Sequence, residues 1–149
     1  MLAGKKTINY FKEMDKEFFV ETKYDGERLQ VHRDGDKIKV FSRNGVDYNH
    51  VYESIIPLLK EKVSCNACIL DGEIIVLEKN TLKMQPFGLN KVVALGSDSD
   101  MQLCYKIFDI LWVRADDGDS SQEINLMSHP LKDRKELLEK VITEVSGEL

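Results

Sequence analysis

The stretch CILDGEIIVL, Cys68–Leu77, is apolar and rich in β-branched residues on either side of one polar triplet, Asp71-Gly72-Glu73. Its length and β-branched content predict a strand buried in the middle of a sheet. A second run, LCYKIFDILWV from Leu103 to Val113, is nearly continuous in apolar residues around Lys106 and Asp109 and predicts another central strand. Alternate residues of a strand share a face. Asp71 and Glu73 therefore project together, opposite Leu70, Gly72 and Ile74. Glu73 is a candidate for a cleft, and Asp71 either joins it there or serves as a structural hydrogen-bond partner.

Outward from these strands, Ile8, Phe11 and Met14 recur at three-residue spacing and predict a short amphipathic helix. FFVETKY (Phe18–Tyr24) reads as a strand, RLQVHR (Leu29 flanked by Arg28, to Arg33) as the next, and Asp34-Gly35-Asp36 as a hairpin turn into KIKVF (Lys37–Phe41). The expectation is a three-strand antiparallel meander. Asn44-Gly45 ends the last strand, and VYESIIPLLKEKV (Val51–Val63) predicts a helix that bends or restarts near Pro57. RADDGDSSQE (Arg114–Glu123) reads as an acidic surface loop. HPLKDRKELLEKVITEV (His129–Val145) reads as a closing helix with Pro130 near its N-terminus. The fold class is α+β, with mostly antiparallel sheet and flanking helices, in one domain over residues 1–149.

Composition excludes several classes of function. The chain has 149 residues, 42% hydrophobic and 32% charged, and no apolar run approaches the roughly 18 residues of a membrane span. MLAGKKTINYFKEMD lacks the apolar core of a secretory signal, and three cysteines cannot all pair, so a reducing compartment is expected. Cys65-Asn-Ala-Cys68 has CxxC spacing but lacks the further ligands of a zinc site. The net charge of -5 argues against a general electrostatic clamp on nucleic acid, so any such contact should be local.

One local concentration of charge stands out. ETKYDGER, Glu21–Arg28, places Lys23, Asp25-Gly26 and Arg28 at a strand–turn junction, where Lys23 can project into a cleft and Arg28 can present a forked cation to the same anion. A charged hairpin tip accounts for Lys-x-Asp-Gly alone, because turns collect such residues. At average residue usage, however, the full Lys-x-Asp-Gly-x-Arg should arise by chance in only about 0.2% of chains this long.

ETKYDGER is followed, in order, by FSRNG (Phe41–Gly45), LDGEII (Leu70–Ile75) and YKIFDIL (Tyr105–Leu111). Together they resemble motifs I, Ia, III and IIIa of the covalent nucleotidyltransferases, which include ATP-dependent DNA ligases, RNA ligases and mRNA capping enzymes. Within this superfamily the nearest resemblance is to the eukaryotic DNA ligase IV group, the ligases of non-homologous end joining. The resemblance implies a partial nucleotidyltransferase (ATP-grasp-like ligase) domain that uses ATP and Mg²⁺ in the nucleus. Its substrate would be DNA with nicks or double-strand ends. It implies that Lys23 is the catalytic nucleophile that accepts AMP. It places Glu21 and Thr22 at the adenine end, Arg28 at ribose and phosphate, and Phe108 stacked on the base. Arg43 would contact ATP and the 5′-phosphate of the DNA, and Glu73 would hold the ribose and the metal.

In the family, motifs IV and V follow motif IIIa, and neither follows here; Lys37-Ile-Lys39 is in the wrong order to serve as motif V. The DNA-binding, oligonucleotide-binding-fold and BRCT domains of the family are likewise absent from this stretch. The expectation is the first half of an adenylation domain, inactive by itself. An end-joining scaffold protein would bind the C-terminal region of the full enzyme. The alternatives are a capping-type guanylyltransferase and a non-catalytic fragment that binds nucleotide or DNA ends.

Overall fold

The structure, a computed structural model, describes residues 4–14, 17–96, 99–116 and 121–144. Among these residues five strands form one sheet in which every neighbouring pair is antiparallel, in the order β2-β1-β3-β4-β5. They are β1 (Glu27–Asp34), β2 (Lys37–Ser42), β3 (Ala67–Glu78), β4 (Met101–Asp116) and β5 (Ser121–Asn125). Among the described residues four helices accompany the sheet: α1 (Ile8–Lys12), α2 (Ile56–Lys62), α3 (Asn90–Ala94) and α4 (Leu131–Val141). Among the described residues no helix is long and apolar enough to cross a membrane.

Burial explains why β3 is the centre. Leu70 and Ile74 are fully buried on one face and Ile75 and Val76 nearly so, as a strand covered on both sides requires. Leu29, Val31 and Val40 of the β1–β2 hairpin join Leu70, Ile74, Tyr105 and Ile110 in the main core. Tyr52, Ile55, Leu59 and Val63 close this core from the α2 side, and Leu126 and Leu138 close it from the α4 side. Pro57 falls in the first turn of α2 after a 3-10 turn at Glu53–Ile55, so the expected restart occurs where proline loses no helical hydrogen bond. The C-terminal ends of α2 and α4 are tied together, Ser64 N donating to Val141 O at 2.8 Å and Thr143 N to Lys62 O at 2.8 Å.

Three expectations are corrected. Phe18–Tyr24 is not a strand: it lies outside the sheet, and Phe18, Phe19 and Val20 are exposed. The reason is competition for an edge. β1 has two edges, and β2 and β3 occupy both, so the meander is a two-strand hairpin beside β3. The acidic segment is not a simple loop either. Arg114–Asp116 extend β4 and Ser121–Glu123 belong to β5, while residues 117–120 lie outside the described set. Finally, α1 forms where expected but buries none of its residues.

Candidate active site

All seven residues singled out in the sequence, Glu21, Thr22, Lys23, Arg28, Arg43, Glu73 and Phe108, line one cleft of about 780 Å³. They come from four parts of the chain, and each reaches the cleft for a different local reason.

The Glu21–Gly26 segment, which carries Lys23, is held to the sheet by contact rather than by ladder pairing. Tyr24 packs on Ile75, Leu77 and Cys104. Two residues on, Gly26 passes so close to β3 that an added Cβ would lie 2.2 Å from Ile74 O and 2.8 Å from Ile75 Cγ2. Only glycine permits that approach. It lets Gly26 N donate to Glu73 Oε1 at 3.2 Å, which links the Lys23 segment to the motif III carboxylate.

Arg28 lies opposite Glu73 in the β1–β3 register, yet its side chain leans to Asp71. Its Nε donates to Asp71 Oδ1 at 2.9 Å and its Nη2 to Oδ2 at 2.5 Å, a forked pair. Asp71 is 4% exposed, and besides pairing with Arg28 it lines a second cavity next to the cleft. The hydrogen bond that Arg28 donates to Asp71, opposed by partial burial, raises the Arg28 pKa and keeps the guanidinium charged. Its Cζ sits 5.8 Å from the Phe108 ring centroid, within cation–π range.

Phe108 owes its position to a β-bulge. Asp71 pairs with Asp109 and Gly72 with Ile107, so Phe108 is the extra residue on β4. A bulge re-aims a side chain and releases its peptide from the ladder. Lys135 of α4 takes up the released carbonyl, its Nζ donating to Phe108 O at 2.5 Å and also bonding the Glu21 carboxylate. Next to it, Arg134 donates through Nε and Nη2 to the two oxygens of Asp109 at 2.8 and 3.0 Å. That pairing raises the Arg134 pKa. Consecutive cations of α4 thus fasten the helix to the bulged part of β4.

Arg43 stands on a tight loop after β2. Gly45 has φ of +75°, a conformation suited to glycine, and Ser42 N donates to Val46 O at 2.9 Å while Val46 N donates to Ser42 Oγ at 3.1 Å. The loop leaves Arg43 exposed between the main cleft and a second cavity of about 590 Å³, which also contains Gln30, His32 and Phe41. Burial lowers the His32 pKa.

Lys106 and Lys135 were not anticipated as site residues. Both line the cleft with Lys23, Arg28 and Arg43, against Glu21, Glu27, Glu73 and Glu144. An acidic chain of net charge -5 therefore gathers five cations around one cavity. A signal for Lys135 did exist: it lies four residues after Leu131 and three before Leu138, on the inward stripe of α4, where a lysine must reach something polar. The CxxC pair forms no such centre. Cys68 is fully buried, and a hydrogen bond with Cys65, followed by burial, pushes its thiol pKa far up, so it is no nucleophile.

No cluster of three or more His, Cys, Asp or Glu side chains suited to a metal occurs among the described residues. Mg²⁺ does not require one, because it commonly binds through one or two carboxylates together with substrate phosphates and water. Glu73 fits that mode: one oxygen is engaged by Gly26 N and the carboxylate still lines the cleft.

The chain is 37% identical over 138 residues to DNA ligase 4 of Arabidopsis thaliana, an overlap of 90% of this chain and 11% of that protein. It is 34% identical to human DNA ligase 4 over 160 aligned positions, covering 100% of this chain and 17% of the human protein. The chain thus spans well under a quarter of the length of these relatives. Among solved structures, a mycobacterial DNA ligase D complexed with ATP and MES has the same fold, with a TM-score of 0.57 and 24% identity, over 80% of this chain and 35% of that one. The family model described as ATP dependent DNA ligase domain matches residues 1–149, and the chain belongs to that family.

Proposed function

We propose that this cleft binds ATP and that Lys23 accepts AMP from it, as the first step in sealing breaks in DNA. One observation carries the reading: in a chain of the ligase family, Lys23, Glu73 and Phe108 converge on one cleft, with Gly26 N–H joining the Lys23 segment to Glu73.

The Lys23 amine forms a bond to the α-phosphorus as the α–β bridging P–O bond breaks and pyrophosphate leaves. The amine attacks through its nitrogen lone pair, so its proton must leave first. Arg28, held charged by Asp71, and Lys106 supply positive potential in the same cleft that stabilises the developing phosphate charge. Phe108 offers a face for the base and Glu73 a carboxylate for the ribose. When bound, Mg²⁺ would neutralise phosphate charge beside Glu73. Arg43, exposed at the junction of the two cavities, is placed to take the 5′-phosphate of the DNA strand that receives AMP. The similarity to DNA ligase 4 of plants and animals supports a nuclear role in repair of double-strand ends by end joining.

The test is direct. Residues 1–149 are titrated with ATP and Mg²⁺, then incubated with radiolabelled ATP, with and without the separately expressed remainder of a DNA ligase 4 relative. ATP binding by the chain and a label on Lys23 when the remainder is supplied are expected. Absence of nucleotide binding in every arrangement rejects the assignment.

A further inference from the structure

Building on that reading, which sets Glu21 at the adenine end, we propose that Lys135, ion-paired with Glu21, is a specificity-determining residue for adenine over guanine. Lys135 is well held for such a task. Its side chain is only 18% exposed, and its ammonium is fixed by Phe108 O and the Glu21 carboxylate. An ammonium carries three donors, of which these partners engage two. The pair sits against the residue whose ring lines the same cleft, on a carbonyl that the bulge withdrew from the ladder.

The pair sets a carboxylate acceptor next to an ammonium donor. Adenine presents the complementary order on one edge, an amino donor beside a ring-nitrogen acceptor. Guanine presents the reverse, a carbonyl acceptor beside a ring N–H. In the same pose its carbonyl meets the Glu21 carboxylate and its N–H meets the ammonium. In the reversed pattern both hydrogen bonds are lost, with acceptor facing acceptor at the half-exposed Glu21 and donor facing donor at Lys135.

Competition of ATP and GTP for the full chain, read with a fluorescent ATP analogue, tests this. Lys135→Met should weaken ATP binding about tenfold, the worth of one charge-assisted hydrogen bond, and reduce the ATP-to-GTP preference by a similar factor. Lys135→Arg should restore most of that preference. Glu21→Gln, which leaves the Phe108 carbonyl bond in place and adds an amide donor for the guanine carbonyl, should lower the preference as well. A Lys135→Met protein that melts like wild type and keeps the wild-type preference overturns the inference. If Lys135→Met does not fold, an unchanged preference in Glu21→Gln overturns it equally. Wild-type chain that binds neither nucleotide rejects the ATP site itself, and this inference with it.

Discussion

Gly72→Ala would put a methyl group into the most crowded point of the sheet. The new Cβ would lie 2.6 Å from Lys106 O and 2.7 and 2.8 Å from Cε2 and Cζ of Tyr105, whereas ordinary contact begins at 3.4 Å. The neighbours must therefore retreat by about 0.8 Å. Neither is free to do so. The Tyr105 ring is fully buried and crosses over Gly72 to donate its hydroxyl to Leu29 O at 2.9 Å, and Leu29 is itself the β1 partner of Gly72. Lys106 O belongs to β4 beside the Phe108 bulge, so moving it opens the β3–β4 ladder. Overpacking a well-packed core costs about 1–3 kcal/mol, and two pinned neighbours place this site near about 3 kcal/mol. For a chain of this length that is a fall in Tm of roughly 6–12 °C. Scanning calorimetry of wild type and variant measures it. Tyr105→Phe removes the anchor of the ring, so the double variant should lose less than the sum of the two single losses. A Gly72→Ala protein melting within about 2 °C of wild type would refute the packing argument.

Lys23→Arg should abolish the covalent AMP adduct, because a guanidinium stays protonated; labelling of the variant under the conditions that label wild type would disprove the assignment. Arg43→Ala should leave adenylylation of the protein largely intact but slow AMP transfer to nicked DNA, and equal loss in both single-turnover assays would instead assign Arg43 to the ATP site. Asp71→Asn removes one partner of the forked pair with Arg28, and urea titration should show a loss of about 1–2 kcal/mol, moderated because the Arg28 side chain is 49% exposed to water. For His32, whose folded pKa lies below its unfolded value, the fold binds fewer protons than the unfolded chain. Its contribution is therefore fully present above the unfolded pKa of about 6.5 and is lost as pH falls through the folded value. Stability measured from pH 8 to pH 5 should fall more steeply in wild type than in His32→Gln, and identical slopes would count against this.

Sequence by itself determined the parts of the molecule whose cause is local. Apolar, β-branched residues on both sides of one polar triplet made Cys68–Leu77 a central strand, Pro57 restarted a helix, and the Asp34–Asp36 turn joined two strands. The set of cleft residues was legible for a related reason. A lysine, glycine and arginine at fixed spacing are demanded by chemistry and close backbone approach, and Gly26 and Gly72 show the contact that makes each glycine necessary. Tertiary structure decided whatever depended on competition between distant segments. Phe18–Tyr24 has the composition of a strand, but an edge of β1 can hold only one neighbour, and β3 occupies it. Asp71 and Glu73 share a strand face, yet Asp71 pairs with Arg28 beside the second cavity while Glu73 lines the main cleft, because Arg28 leans toward its diagonal neighbour rather than the residue opposite. Lys135 entered the site only because a bulge freed the Phe108 carbonyl and α4 packed where an ammonium could reach it. A register shift of one residue leaves no mark in composition or periodicity, since it arises from the fit of two strands and is settled only when they meet.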